Sequence, residues 1–136
     1  MTDIELAKET LNSRDLTFAA AKDGAVISSA ERGISPVLDL LDRFACGNGM
    51  AGWSVADKVV GKAPAMIYSL LKPSEVYGHV MTKDAEHILA QAGIKCSFDA
   101  EAEKIINRAG TDICPMEKLV ADVDDPAAAV ERLMSR

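Results

Sequence analysis

Aromatic residues are scarce in this chain of 136: one Trp, two Tyr and three Phe. A core must therefore be filled by Ala, Val, Ile, Leu and Met, and the 49% hydrophobic fraction is enough to do so and argues against disorder. Basic charge is also short, fifteen Lys and Arg against twenty-one Asp and Glu, a net charge of −6. That balance excludes a general nucleic-acid-binding surface but leaves room for a local basic pocket. Three cysteines, Cys46, Cys96 and Cys114, form no Cys-x-x-Cys and no metal-ligand spacing. They read as reduced thiols of a cytoplasmic protein rather than a disulfide framework. No apolar run approaches the ~20 residues needed to span a bilayer. The start, Met-Thr-Asp-Ile-Glu, lacks the basic-then-apolar order of a secretory signal. With no repeat, low-complexity tract or linker, the expectation is one soluble domain over residues 1–136, with no membrane partner.

The pattern along the chain alternates between strand and helix signals. Thr2 or Asp3 caps a first helix to about Ser13, with Ile4, Leu6, Ala7 and Leu11 as its stripe. Leu16 to Ala21 is a buried strand, Asp23-Gly24 a hairpin turn, and Ala25 to Ser29 the returning antiparallel strand. Ser35-Pro36 reads as an N-cap followed by a proline at the first helical position. Ser54 to about Leu71 reads as one helix, kinked or divided at Pro64. Glu75 to Met81, a helix from Lys83 to Ala92, and Ile94 to Phe98 make a strand–helix–strand unit whose two strands should be parallel. Helices from Pro115 to about Ala121 and from Pro126 to Leu133 close the chain. The fold class this implies is α/β: a three-layer α/β/α sandwich with a mixed sheet of four or five strands and an N-terminal antiparallel hairpin.

The chemistry concentrates between Asn107 and Leu119. Cys114 precedes Pro115, so it is the expected N-cap of the next helix, where unpaired N–H groups and the dipole favour a thiolate. Glu117 falls in the first turn and can either reach back to the Cys114 N–H or move a proton. Asn107 and Arg108 lead into Gly110, and a guanidinium fork suits a carboxylate or phosphate. A structural pairing of Arg108 with Glu117 or Asp112 competes with that role. Arg32, after the hairpin, is a weaker cation of the same kind. In the expected 54–71 helix, Lys58 and Lys62 stand four apart, either as a solvated face or as an anion site near a helix start. Gly61 between them costs helix propensity of about 1 kcal/mol, so tight packing or close approach of backbone or ligand should offset it. Asp57 reads as a first-turn carboxylate, for capping, ligand contact or general base catalysis.

Two runs, Ala56-Asp57-Lys58-Val59-Val60-Gly61-Lys62-Ala63 and Asn107-Arg108-x-Gly110 with Cys114-Pro115-Met116-Glu117-Lys118, carry a resemblance. The chain resembles, over essentially its whole length, a prokaryotic family known as a domain of unknown function and placed in the cytidine deaminase-like superfamily. The resemblance implies a mixed sheet between helices with an N-terminal hairpin. It does not carry over the zinc chemistry. A zinc deaminase needs a His or Cys two residues before a Glu, and a Pro-Cys-x-x-Cys. Here the first run offers Asp57-Lys58-Val59 and the second a single thiol before its proline. No metal and no other cofactor is expected.

The leading expectation is a deaminase-like fold that binds a nucleotide-like or other anionic small molecule through Asp57, Lys58, Gly61, Lys62, Asn107, Arg108, Cys114 and Lys118. One alternative is an enzyme acting on such a substrate, with Cys114 as nucleophile and Glu117 and Asp57 as catalytic partners. Another is a regulatory or interaction module without catalysis. An exposed edge of a small mixed sheet would allow a homodimer.

Overall fold

The turn at Asp23-Gly24 sets the start of the architecture. Both residues have positive φ, 50° and 85°, the mirror-image geometry that lets a two-residue loop follow the twist of its strands. It joins β1 (Phe18–Lys22) to β2 (Ala25–Ser29) in the antiparallel register Phe18↔Ser29 to Lys22↔Ala25. In the computed structural model, which describes residues 1–44, 47–107 and 109–135, β1 also pairs antiparallel with β3 (Ser54–Val60). From β3 the sheet continues in parallel through β4 (Glu75–Thr82) and β5 (Lys95–Ala102), giving the order β2-β1-β3-β4-β5. The molecule is therefore α/β with a mixed five-stranded sheet.

One helix, α1 (Asp3–Ser13), packs on one face; Thr2 and Glu5 form its capping box, and Ala7 and Leu11 bury against Ala19, Ala21, Ala56 and Tyr77. The other side holds the larger core, to which α2 (Ser35–Arg43), α3 (Lys62–Leu71), α4 (Lys83–Gln91), α5 (Pro115–Val120) and α6 (Pro126–Met134) contribute. At its centre is α3, in contact with the other four helices and buried along most of its surface.

The expected helix from Ser54 to Leu71 does not form: Ser54–Val60 is a strand, Gly61 the N-cap, and only Lys62–Leu71 is helical. The physical reason is burial on both faces. A central strand covered on both faces needs no polar alternation, so Val55, Ala56 and Val60 are all buried and the strand shows no period of two. Val59, near the end of the strand, is 42% exposed. Pro64 no longer interrupts anything, because it stands in the first turn of α3, where its missing N–H has no intrahelical partner. A smaller correction concerns α2, whose N-cap is Ile34 rather than Ser35 and carries no side-chain cap. β5 also runs to Ala102, past the expected end at Phe98.

The strands carry one irregularity that shapes the site. Val55 and Val60 belong to the same core cluster although five residues apart, and so do Val76 and Met81 on β4. Strict alternation would put each pair on opposite faces, so the pleat slips at the same level in both strands. On β3 the slip falls between Asp57 and Val60.

Candidate functional site

At the carboxyl end of β3, where the chain enters α3, a cavity of about 600 Å³ opens. Its wall is drawn from four places: residues 15–17 before β1, Arg32 and its neighbours after β2, Asp57–Val59 with Gly61 at the start of α3, and Ile105, Cys114 and Glu117 beside α5. This is where open α/β sheets place ligands, beyond the carboxyl ends of strands and beside the point where the connections change direction. Its size is in the range of small-molecule sites.

Asp57 is the most perturbed group in it. The side chain is 8% exposed, its Oδ2 accepts the Tyr68 hydroxyl at 2.8 Å, and its Oδ1 accepts the Val59 N–H at 3.4 Å. Burial disfavours the carboxylate and outweighs those bonds, so the acid is pushed up to about 7 from an ordinary 3.8. Tyr68 is fully buried on α3, and burial and the neighbouring carboxylate push its hydroxyl well above the usual phenol range. It therefore stays a donor.

Glu117 explains both Gly61 and the closure of the cavity. From α5 it reaches back to the start of α3, where Oε1 accepts the Lys62 N–H and Oε2 the Ala63 N–H, each at 2.7 Å. A Cβ on Gly61 would come within 2.6 Å of the Glu117 carboxyl carbon. The φ of Gly61, −94°, suits any residue, so the requirement is space and not conformation. The carboxylate thus fills the place at this helix start that the sequence left open for an exogenous anion. Burial pushes the pKa of Glu117 above the usual carboxylate range and the two amide bonds oppose that rise. Glu117 does not close a capping box on Cys114, whose N–H instead donates to the Ile105 carbonyl at 2.8 Å. Cys114 is the N-cap of α5, half-buried, makes no side-chain cap bond and lines the cavity.

The other anticipated residues divide. Lys58 lies on β3, not on a helix, and lines the cavity together with Arg32. Among the described residues, neither cation has a carboxylate within ion-pair distance. Lys62 is turned elsewhere: Nζ donates to the Ala121 carbonyl at 3.1 Å and faces Asp124 at 3.7 Å, with the side chain 13% exposed. Lys118 pairs with Asp112 and holds that carboxyl below its usual range. Asn107 organises its own loop, its Oδ1 accepting the Thr111 N–H at 3.0 Å and its N–H donating to the Asp112 carbonyl at 2.8 Å. None of Lys62, Asn107 and Lys118 lines the cavity. Arg108 and Cys46 lie outside the described residues. Among the described residues no three His, Cys, Asp or Glu side chains gather as a metal-ligand set, and no helix is long and apolar enough to cross a membrane.

Sequence reasoning missed Tyr68 as the partner of Asp57. It also missed the contribution of Asp15 to Thr17 and of Ile105 to the wall. The Tyr68–Asp57 spacing of eleven residues becomes a contact only because a strand turns back into a helix.

The architecture recurs in a solved structure, that of the DUF1893 family protein TM1506 from Thermotoga maritima, with a TM-score of 0.90 and 29% identity over 98% of this chain and 88% of that one. No curated protein matches the chain. The family model for the domain of unknown function DUF1893 (TM1506) matches residues 6–135, and the chain belongs to that family.

Proposed function

We propose that the cavity at the end of β3 binds a nucleotide-like or other anionic small molecule, in a cytidine deaminase-like three-layer fold that uses no zinc. One observation carries this reading: Arg32 and Lys58 line a cavity of about 600 Å³ with no carboxylate partner among the described residues. The acids nearby do not cancel them fully. Glu117 is engaged by the α3 amides, and Asp57 is only partly ionised near neutrality. Asp15 remains as a competing charge on the wall. The β-hairpin at the start of a mixed sheet supports the deaminase-like assignment, since that is the arrangement the family resemblance implies.

Thermal-shift and calorimetric screening of nucleotides, nucleosides and simple phosphates tests the reading. The expected outcome is a phosphorylated ligand that stabilises the wild type and loses at least tenfold in affinity in a Lys58→Ala/Arg32→Ala variant. If every phosphorylated compound leaves the wild type unmoved, or the double variant binds equally well, the proposal fails.

A second reading, a Cys114-dependent reaction on the same ligand, is favoured by Cys114 and Asp57 lining one cavity. It requires turnover that Cys114→Ser abolishes while ligand affinity survives.

A further inference from the structure

The inference drawn here rests on the reading that the cavity takes a nucleotide-like anion, and it concerns which one. We infer that Asp57 selects the ligand, and that the selected class is a nucleotide whose base presents two adjacent N–H donors on one edge, as guanine does.

An ionised carboxylate only accepts hydrogen bonds and has about four sites for them. Tyr68 fills one on Oδ2 at 2.8 Å, the Val59 N–H makes a long contact of 3.4 Å to Oδ1, and the Lys58 backbone also bonds to the carboxyl. Among the described residues no cation lies within ion-pair distance of Asp57. Each oxygen thus has a partner, the carboxyl keeps further acceptor capacity, and the residue lines a ligand-sized cavity. Two donors on one planar edge match its two oxygens in the bidentate geometry that gives both strength and direction.

The support behind the carboxyl is rigid. Tyr68 is fully buried on α3, and its hydroxyl bond fixes the plane that a ligand meets. At the same cavity wall Arg32 and Lys58 supply the charge that a phosphate needs. The site thus offers acceptors at one place and cations at others, the complement of a base with donors joined to an acid group. Guanine fits with its ring N–H and amino group side by side. Hypoxanthine retains only the ring N–H. Adenine sets an unprotonated ring nitrogen beside its amino group, which would face a carboxylate oxygen lone pair to lone pair.

Calorimetric titration of wild type and Asp57→Asn with GMP, IMP, AMP, XMP and ribose 5-phosphate tests this. Wild type should bind GMP about ten- to a hundredfold more tightly than IMP or AMP, the discrimination typical of one bidentate base contact. Asp57→Asn replaces one acceptor with a donor, so its preference should turn from GMP to XMP, whose edge is an N–H beside a carbonyl. Ribose 5-phosphate should bind both proteins equally. If GMP, IMP and AMP bind the wild type within twofold, or Asp57→Asn keeps the guanine preference, the assignment of Asp57 falls while the anion reading stands. If no compound binds the wild type, both fall. Circular dichroism establishes that the variant is folded; should it not be, the wild-type series decides alone.

Discussion

Replacing Asp57 by Asn tests the electrostatics of the site without any ligand. The acid ionises near its ordinary 3.8 in the unfolded chain and at about 7 in the folded one, because its carboxylate is desolvated. Between those values folding takes up a proton. Below about pH 4 the group is neutral in both states and burial carries no ionic penalty; above about pH 7 it is ionised in both and the penalty is complete. The interval from 3.8 to about 7, at ~1.36 kcal/mol per pH unit, makes that penalty about 4 kcal/mol. Asn is nearly isosteric and never ionises. It carries only one acceptor, so either the Tyr68 hydroxyl or the Val59 N–H loses its partner, a pH-independent cost on the order of 1 kcal/mol.

Urea unfolding of both proteins at a series of pH values from about 4 to 8 reads this directly. The variant should be close to wild type at the acid end and should gain up to about 4 kcal/mol relative to it by the alkaline end. Burial also raises the pKa of Glu86 and of Glu117, but they titrate in both proteins and drop out of the difference. A difference that stays flat across the range would refute the reasoning. A difference running the other way would mean that Asp57 is ionised at low pH beside a cation. A variant that is more stable yet has lost its ligand preference is what a site under functional constraint should yield.

The remaining predictions separate bracing residues from cavity residues. Lys62→Ala should lower the melting temperature and leave ligand affinity unchanged, since Lys62 ties α3 to the Ala121 carbonyl and Asp124; Lys58→Ala should do the reverse, and calorimetry beside thermal melts distinguishes them. Glu117→Ala removes two charge-assisted bonds at the start of α3 and should cost about 2–3 kcal/mol in urea unfolding. Gly61→Ala should cost about 1–3 kcal/mol in the wild type, through its collision with Glu117, and almost nothing in the Glu117→Ala background; additive costs would show that the two do not interlock. Iodoacetamide at about pH 7.5 should label Cys114 ahead of Cys96, whose thiol is pushed up by burial and by Glu86. Peptide mass spectrometry gives the rates, and equal rates would contradict the placement of Cys114 on an open cavity.

What could be read from the chain beforehand followed the locality of each signal. The hairpin was legible because Asp23-Gly24 dictates its own geometry, and α1 because Thr2 and Glu5 close a capping box within four residues. The parallel pairing of β4 with β5 was legible from the length of the helix between them. Ser54–Leu71 was not, because a strand buried on both faces loses the alternation that identifies a strand. The expected helix would have carried Asp57 and Lys58; the structure puts them on a strand end, and that changes what they can do. A helix would have set Lys58 and Lys62 side by side on one face. The strand–glycine–helix turn sends them to different places, one to the cavity and one to the α5–α6 connection.

The two motifs singled out from the sequence, Ala56 to Ala63 and Cys114 to Lys118, meet at one place, and the meeting separates structural from functional demands. Gly61 and Glu117 need each other for packing and for capping α3, whatever the protein binds. Lys62 and Lys118 are each engaged by an acid on the protein's own loops. Those four positions are therefore accounted for by the fold. Asp57 and Lys58 are not. A buried acid pushed up to about 7 weakens the folded state near neutrality, and a lysine on a strand facing a cavity without a partner among the described residues contributes no ion pair to it. The case for a ligand therefore rests on Asp57 and Lys58, and on Arg32 across the cavity from the hairpin side, rather than on the Cys-Pro-Met-Glu-Lys run that first draws the eye.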